Sequence, residues 1–306
     1  MRKTVLGRTN FEVTQLGYGA LEIKGTVTPV GTGENQSGRM PNEDRAGTIL
    51  NAVLDGGINF IDTAWCYGRS EELMGRYISE RRNEFVLAAK AGHGHCAAKD
   101  KFAGFTREDI VNCLEESLEN LKTDHLDILQ LHNPTPEDIE ENGCIEVLQE
   151  LKAKGLTKFI GVSSVLPHLE KHLATGAFDV FQIPYSALEP EHHDIITKIA
   201  DQGGGIIIRG GVAKGEPGIG GGGYEERWKR FEKANLDDLR EENESRTAFL
   251  LRFTMSHPNV HTIIVGTQNP DHLNENIETA KKGALPAEIY NEAKSRLRNV
   301  GLSHGK

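Results

Sequence analysis

Short apolar runs alternate with helix-length amphipathic segments from residue 58 onward. Many of the runs contain β-branched residues, and this alternation is typical of parallel strands joined by crossover helices. Together with a similar run near the N-terminus, the predicted strands number eight, which is the number that closes a barrel. They span residues 15–18, 59–62, 85–89, 127–131, 159–163, 180–183, 206–208 and 262–265.

The segments between these runs predict the helices of the barrel. Thr106 is placed as an N-cap with Asp109 in the first turn, and glycines lie where helices are expected to stop. Predicted helices span residues 43–55, 70–81, 107–121, 142–153, 167–174, 192–201, 245–256 and 271–281, with a last helix over 286–300.

Two further runs precede the first barrel strand and predict a β-hairpin. Residues 3–6 and 11–14 flank the turn sequence Gly7-Arg-Thr-Asn10. A hairpin at this position is placed to close the bottom of a barrel. We therefore predict one domain over residues 1–306, a (β/α)8 TIM barrel with an N-terminal β-hairpin and an extra C-terminal helix.

Three segments do not follow the alternation of strand and helix. Residues 24–42, 92–105 and 214–224 are rich in Gly and polar residues, and each follows a predicted strand end. Long loops at the mouth of a barrel commonly act as substrate or cofactor lids. We expect these loops to determine the substrate, which the sequence does not reveal.

Composition excludes several classes of protein. No run approaches the ~20 apolar residues of a membrane span, and the N-terminus lacks the apolar segment of a signal peptide. A net charge of −10 argues against nucleic acid or an anionic membrane as partner. The four cysteines are scattered, which indicates reduced thiols and predicts a cytoplasmic location; they are Cys66, Cys96, Cys113 and Cys144.

Four residues with chemical potential lie at or just beyond predicted strand ends. Asp62 and Tyr67 follow the second barrel strand, Lys90 follows the third, and His132 follows the fourth. Because the carboxyl ends of parallel strands meet at the mouth of a barrel, we expect the four side chains to converge there. Alone, each has an ordinary structural explanation, such as a buried ion pair or a hydrogen-bonded loop histidine.

Together the four residues suggest proton transfer by a tyrosine. Its free hydroxyl has a pKa near ~10, so a general acid working near neutrality needs a neighbouring cation that lowers this value. Lys90 can supply the cation. Asp62 would hold the ammonium in place, and His132 could hydrogen-bond a substrate oxygen.

These residues and their setting resemble the aldo-keto reductase family over nearly the whole chain. The resemblance implies a barrel that binds an extended nicotinamide cofactor without a Rossmann domain, with Tyr67 as general acid/base, tuned by Lys90 and Asp62, and His132 orienting the carbonyl. It rests on Asp62-Thr-Ala-Trp-Cys-Tyr67-Gly-Arg-Ser-Glu71, Lys90, Leu131-His132-Asn-Pro134, Gly161-Val-Ser-Ser164, Gln182, and Gly266-Thr267 through Glu275-Asn276.

The resemblance also implies the cofactor contacts. Ser163 and Gln182 fall where the family holds the nicotinamide carboxamide, while Ser164 replaces the usual Asn. Arg209 stands where many members stack an aromatic ring, and we hypothesise that it packs near the nicotinamide and favours the reduced form. The predicted cofactor-binding residues are Gly19, Ala20, Ser163, Ser164, Gln182, Arg209, Gly210, Val212, Gly215, Gly266, Thr267, Gln268, His272 and Asn276.

The choice between the two nicotinamide cofactors depends on the last of these segments. Members that prefer the phosphorylated cofactor usually have basic residues there, whereas this chain has no Arg or Lys between Gly266 and Asn276. Thr267, Gln268, His272 and a helix N-terminus can still hydrogen-bond a phosphate. NADP(H) is therefore the first prediction, on family habit, with NAD(H) as the alternative.

The predicted function is a hydride-transferring oxidoreductase acting on a small carbonyl or alcohol substrate. One alternative is a regulatory subunit that keeps the barrel and the cofactor, and another is a Schiff-base aldolase using Lys90. No metal is predicted, because His93, His95 and Cys96 have no evident fourth ligand at standard spacing. Oligomeric state is not predicted.

Overall fold

Eight parallel strands form a closed barrel in the computed structural model, which describes residues 1–24, 43–92, 104–217 and 225–305. An antiparallel hairpin precedes the barrel, formed by β1 (Lys3–Val5) and β2 (Glu12–Thr14). Around the barrel the strand order is β10-β3-β4-β5-β6-β7-β8-β9. The barrel strands are β3 (Leu16–Gly19), β4 (Phe60–Asp62), β5 (Val86–Ala91), β6 (Leu126–His132), β7 (Thr157–Ser163), β8 (Val180–Pro184), β9 (Gly205–Arg209) and β10 (Thr262–Val265). The predicted fold class is confirmed.

Helices lie between successive barrel strands and after the last one. Within the described residues they are α1 (Glu43–Asp55), α2 (Ser70–Tyr77), α3 (Arg107–Leu121), α4 (Pro136–Glu141), α5 (Cys144–Ala153), α6 (His168–Ala174), α7 (His193–Asp201), α8 (Glu225–Lys233), α9 (Arg246–Met255), α10 (Pro270–Lys282) and α11 (Ala287–Asn299). No helix in these parts of the chain is long and apolar enough to cross a membrane.

Three local predictions differ from the structure. The helix predicted over 142–153 is preceded by a separate helix, α4, which begins at a Thr135 capping box with proline in its first turn. The helix predicted over 70–81 ends at Tyr77 and is followed by a 3-10 segment, Ser79–Glu84. Helix α8 was not predicted, because its sequence is almost entirely charged apart from two buried aromatic residues.

The hairpin closes the bottom of the barrel, as predicted. Leu6 and Val13 belong to one buried cluster with side chains from the first half of the barrel strands. Leu6 is fully buried, and its carbonyl accepts a hydrogen bond from Thr9. The other members of this floor cluster are Phe60, Val86, Ala88, Ile128, Val180 and Ile207, with Phe11, Phe159 and Ile264 packed against it.

Strand alternation then places polar side chains above this floor. Successive side chains point to opposite faces of a strand, so a residue two positions beyond an inward-facing apolar one also faces inward. Phe60 and Val180 lie in the floor cluster, and Asp62 and Gln182 follow them by two positions. The same rule places further polar residues at the mouth: Lys90, Gln130, His132, Ser163 and Arg209.

Truncating the barrel floor should be costly. We expect Leu6→Ala to lower the free energy of unfolding by roughly 2–5 kcal/mol, because it removes buried methyl groups and leaves a cavity. Val5→Ala is the matched control, since Val5 is 50% exposed, and it should change the value by less than about 0.5 kcal/mol. Urea denaturation monitored by circular dichroism measures both. Equal effects would contradict the assignment of the hairpin as a packed plug.

Candidate active site

A buried ion pair lies at the centre of the barrel mouth. The ammonium nitrogen of Lys90 is 2.5 Å from Oδ2 of Asp62, and both side chains are at most 1% exposed. Lys90 Nζ also donates to the carbonyl oxygen of Thr63 at 2.8 Å. Asp62 lies on β4 and Lys90 on the neighbouring strand β5. Asp62 is in register with Ala88, two residues before Lys90.

Two glutamine side chains complete the hydrogen bonding of Asp62. Oδ1 accepts from Nε2 of Gln182 at 2.7 Å and from Nε2 of Gln130 at 3.2 Å. Ser163 Oγ in turn donates to Oε1 of Gln182 at 3.0 Å. Ser163 is therefore bound to Gln182, and Gln182 to Asp62, while the predicted contact of both residues with the nicotinamide carboxamide stays a prediction.

Gln130 is a site residue that the sequence analysis missed. It is fully buried within an otherwise mostly apolar strand, two positions before His132. Gly161 on the neighbouring strand leaves room for it, because a Cβ at that position would lie 3.1 Å from Cγ of Gln130 and 2.8 Å from the carbonyl oxygen of Val180. The available signal was a lone amide inside an apolar run, at an inward-facing position.

A tight turn after β4 places Tyr67 above the ion pair. The amide of Tyr67 donates to the carbonyl of Ala64 at 2.9 Å, and Trp65 N donates to Lys90 O at 3.3 Å. Gly68 follows with a φ of +55°, a conformation that glycine adopts readily.

The Tyr67 ring centre lies 5.0 Å from Nζ of Lys90 and 5.9 Å from the centre of the His132 ring. The four predicted catalytic residues thus lie together.

The pKa of Tyr67 differs from the sequence-based expectation of a net decrease. Burial raises the pKa of its hydroxyl above the ordinary value, and the charge of Lys90 acts in the opposite direction without outweighing burial. The charge of Asp62 adds to the increase. Tyr67 is therefore protonated at neutral pH.

Lys90 keeps its charge although it is buried. Desolvation alone would lower the pKa of its ammonium, but the charge of Asp62 and the hydrogen bond to it outweigh this, and the pKa is raised. An opposite charge at contact distance favours the charged form and so opposes the effect of burial. The mouth therefore contains a permanent cation.

Predicted cofactor residues line one side of the mouth at the ends of β3 and β10. Gly266 faces the end of β3 so closely that a Cβ there would lie 2.5 Å from the carbonyl oxygen of Gly19. The carbonyl of Thr267 accepts from the Tyr18 hydroxyl at 2.9 Å, and Thr267 Oγ1 accepts from Asn269 N at 3.0 Å. This loop leads into α10, whose N-cap is Asn269.

Helix α1 brings a cation to the same loop, which the sequence analysis did not anticipate. Arg45 Nε donates to the carbonyl oxygen of Gln268 at 2.7 Å. Arg45 is exposed, and in the described part of the chain it has no carboxylate partner. The Gln268 amide donates to the carbonyl of Glu22. His272 and Asn276 lie one and two turns into α10.

Arg209 ends β9 on the inward-facing side of the strand. Desolvation lowers the pKa of its guanidinium, and the nearby negative charges of Glu189 and Asp62 oppose this decrease. Within the described ranges the guanidinium has no hydrogen-bond or ion-pair partner. Its predicted stacking on the nicotinamide stays a prediction.

The remaining predicted residues surround this part of the mouth. Ser164 is buried, and its amide donates to the carbonyl of Gln182 at 3.1 Å. Ala20 is buried after β3, and its carbonyl accepts from Ser70 Oγ at 2.6 Å. Gly210, Val212 and Gly215 form the turns that follow β9.

Some predictions fall on parts of the chain that the structure does not describe. Most of the three predicted lid loops, together with His93, His95 and Cys96, lies outside the described residues. Among the residues that are described, no group of three or more potential ligands could hold a metal ion.

The chain also matches known proteins. A family model described as "Aldo/keto reductase family" matches residues 25–297. The chain belongs to the aldo/keto reductase family. It is accordingly a nicotinamide-dependent oxidoreductase that interconverts carbonyl and alcohol groups.

Similar proteins include both curated proteins and a solved structure. The uncharacterized oxidoreductase YqkF of Bacillus subtilis is 28% identical, covering 94% of each chain. D-threo-aldose 1-dehydrogenase of a Pseudomonas species is 27% identical, covering 93% of this chain and 94% of the relative. The holo form of aldo-keto reductase AKR11C1 from Bacillus halodurans has the same fold, with a TM-score of 0.81, 24% identity, and coverage of 97% and 96% of the two chains.

Removing one partner of the buried ion pair should destabilise this aldo/keto reductase strongly. We expect Asp62→Asn to lower the free energy of unfolding by about 3–5 kcal/mol, because it leaves the Lys90 ammonium buried without a counter-charge. Glu72→Gln is the control, since it breaks a pair with Arg69 in which both partners are partly exposed and should cost less than ~1 kcal/mol. Denaturant titration compares the two variants. A small effect of Asp62→Asn would show that Lys90 can lose its charge or reach water.

Proposed function

We propose that Tyr67 is the general acid and base of this aldo/keto reductase. One observation carries the proposal. The ring centre of Tyr67, whose hydroxyl is protonated, lies 5.0 Å from the ammonium of Lys90, and this ammonium is bound to Asp62. A tyrosine that is neutral at working pH can donate its proton to an oxygen that becomes negative during the reaction. The nearby ammonium then stabilises the phenolate that remains.

The residues at the mouth fit an extended nicotinamide dinucleotide. Ser163 and Gln182 offer hydroxyl and amide groups for a carboxamide, and the Gly19–Gly266 contact keeps the β3 and β10 ends free of side chains. Thr267 and the N-terminus of α10 suit a phosphate. When bound, the cofactor supplies the hydride that is added to the carbonyl carbon.

Each residue of the site then has one task in carbonyl reduction. Tyr67 transfers its hydroxyl proton to the substrate oxygen as that oxygen becomes an alkoxide. Lys90 stabilises the resulting phenolate, and Asp62 fixes Lys90 with the help of Gln130 and Gln182. His132 donates a hydrogen bond to the same substrate oxygen. In the oxidative direction the phenolate of Tyr67 accepts the proton of the alcohol.

The charge state of Lys90 argues against the aldolase alternative. A Schiff base forms from a neutral amine, and lysine becomes neutral when its pKa is depressed. Here the pKa of Lys90 is raised, and the ammonium donates to both Asp62 and the Thr63 carbonyl. A turnover assay distinguishes the enzyme from the regulatory-subunit alternative, because a protein that only binds the cofactor would not oxidise it in the presence of aldehydes.

NADP(H) is the proposed cofactor, and the contact of Arg45 with Gln268 supports it. The 266–276 segment contains no Arg or Lys. Arg45 of α1 supplies a cation next to this loop, where a ribose 2′-phosphate is expected. Glu22 favours the alternative, NAD(H), because its side chain lies beside Gly266, where a Cβ would be 2.9 Å from its Cγ. A carboxylate so placed would repel a phosphate and could accept from a ribose hydroxyl.

Replacing the proposed acid tests the mechanism. Tyr67→Phe should lower turnover by about 10²–10⁴-fold, the usual loss when general acid catalysis is removed. Tyr77→Phe is the control, because Tyr77 lies partly buried on α2 outside the constellation at the mouth. Cofactor absorbance with a panel of aldehydes, ketones and sugars measures turnover. Normal turnover of Tyr67→Phe would refute the mechanism.

Removing the α1 cation tests the cofactor preference. Arg45→Ala should weaken NADPH binding about ten-fold, the value of one charge-assisted hydrogen bond to phosphate, and leave NADH binding nearly unchanged. Arg45→Lys should recover part of the loss, and Arg298→Ala controls for loss of an exposed arginine on α11. Isothermal titration with each cofactor gives the affinities directly, independent of turnover. Equal effects on both cofactors would remove Arg45 from the 2′-phosphate site.

The substrate panel should include aldoses, because one relative carries the name D-threo-aldose 1-dehydrogenase. A cytoplasmic location is also part of the proposal. It is supported by the reduced thiols of Cys66, Cys113 and Cys144, none of which is in a disulfide.

A further inference from the structure

Cys66 contacts the predicted substrate-orienting histidine. Its Sγ lies 3.5 Å from Nδ1 of His132, within the range of a hydrogen bond to sulfur. Both residues are nearly fully buried, since only 9% of the surface of Cys66 and 8% of that of His132 is exposed. This contact joins the turn after β4 to the last residue of β6.

The backbone holds both partners in place. Cys66 lies inside the turn that is closed by the bond from Tyr67 N to Ala64 O. His132 ends β6 in register with Ser163, and the next amide, Asn133 N, donates to Ser163 O at 2.8 Å. The imidazole also meets the Tyr67 ring edge-on, at an interplanar angle of 78°. The Cys66–His132 contact is therefore a fixed part of the site.

The contact bears on which nitrogen of His132 carries the proton. A neutral imidazole has one N–H donor and one acceptor nitrogen, and the partner of one nitrogen selects the state of the other. A thiol is a weak donor, and sulfur is a weak acceptor. The bare imidazole nitrogen is the better acceptor of this pair, so the favoured arrangement has S–H of Cys66 donating to Nδ1.

We propose that Cys66 is a positioning residue that holds His132 in the tautomer protonated at Nε2. Nε2, on the far side of the ring from Cys66, is then the nitrogen that donates to the substrate carbonyl oxygen. The inference rests on the proposed function, in which His132 donates to that oxygen. Alanine or valine at position 66 would offer Nδ1 no donor, whereas serine would preserve one.

Nitrogen-15 NMR reads the tautomer without substrate or cofactor. Spectra of the labelled protein at about pH 8, above the ordinary histidine pKa, distinguish a protonated from a bare ring nitrogen, and a His132→Gln variant assigns the signals. The native protein and Cys66→Ser should show Nε2 protonated. Cys66→Ala and Cys66→Val should show a larger population protonated at Nδ1 than the native protein. Cys144→Ala is the matched control, because Cys144 is also buried but donates to Phe105 O and Asp138 O.

Kinetics add a second measurement. Cys66→Val, which fills the space of cysteine, should lower kcat about three-fold, as expected for loss of one weak hydrogen bond, and change KM little. Cys66→Ser should restore kcat. In a His132→Gln background, Cys66→Val should cause no further decrease, because the effect acts through the imidazole.

Several outcomes would overturn the inference. They are a native His132 protonated at Nδ1, an unchanged tautomer in both Cys66→Ala and Cys66→Val, or an equal shift in Cys144→Ala. Failure of the proposed function would be visible separately, as normal turnover in His132→Gln, because the NMR result does not depend on catalysis.

Discussion

The buried ion pair between Lys90 and Asp62 is the constraint on which the rest of the site depends. Two charges 2.5 Å apart at no more than 1% exposure are costly to bury unless the remaining donors and acceptors are satisfied. The barrel meets this requirement with groups from several strands: the Thr63 carbonyl accepts from Lys90, and Gln130 and Gln182 donate to Asp62. Closing the barrel and assembling the site are therefore the same event.

The ion pair also sets the chemistry of Tyr67. Burial raises the pKa of the phenol and keeps it protonated, while the Lys90 ammonium favours the phenolate. These opposed effects suit a group that must release and recover a proton. The position of the ammonium follows from strand register, since Lys90 occupies the inward-facing position two beyond Ala88 of the floor cluster. The packed lower layer of the barrel thus determines where the charge lies in the upper layer.

Much of this arrangement could be predicted from local sequence. The barrel strands follow from apolar runs separated by amphipathic segments, and the predicted catalytic residues follow from their positions at strand ends. Gln130 was missed because one amide in an apolar strand forms no motif. Helix α8 was missed because its sequence is charged at every position except Trp228 and Phe231, and two apolar residues are too few to distinguish a helix from a loop. The pKa of Tyr67 was given the wrong direction because the cation was visible in the sequence and the extent of burial was not.

The sequence by itself determined the eight strands, most of the helices between them and the four residues at the mouth, because these depend on periodicity and on short-range order along the chain. The tertiary structure alone decided which side chains meet. Arg45 contacts Gln268 across 223 positions, Gln182 reaches Asp62 across 120, and Cys66 reaches His132 across 66. Such contacts depend on barrel closure and register, and no local pattern in the chain encodes the distance between two side chains so far apart.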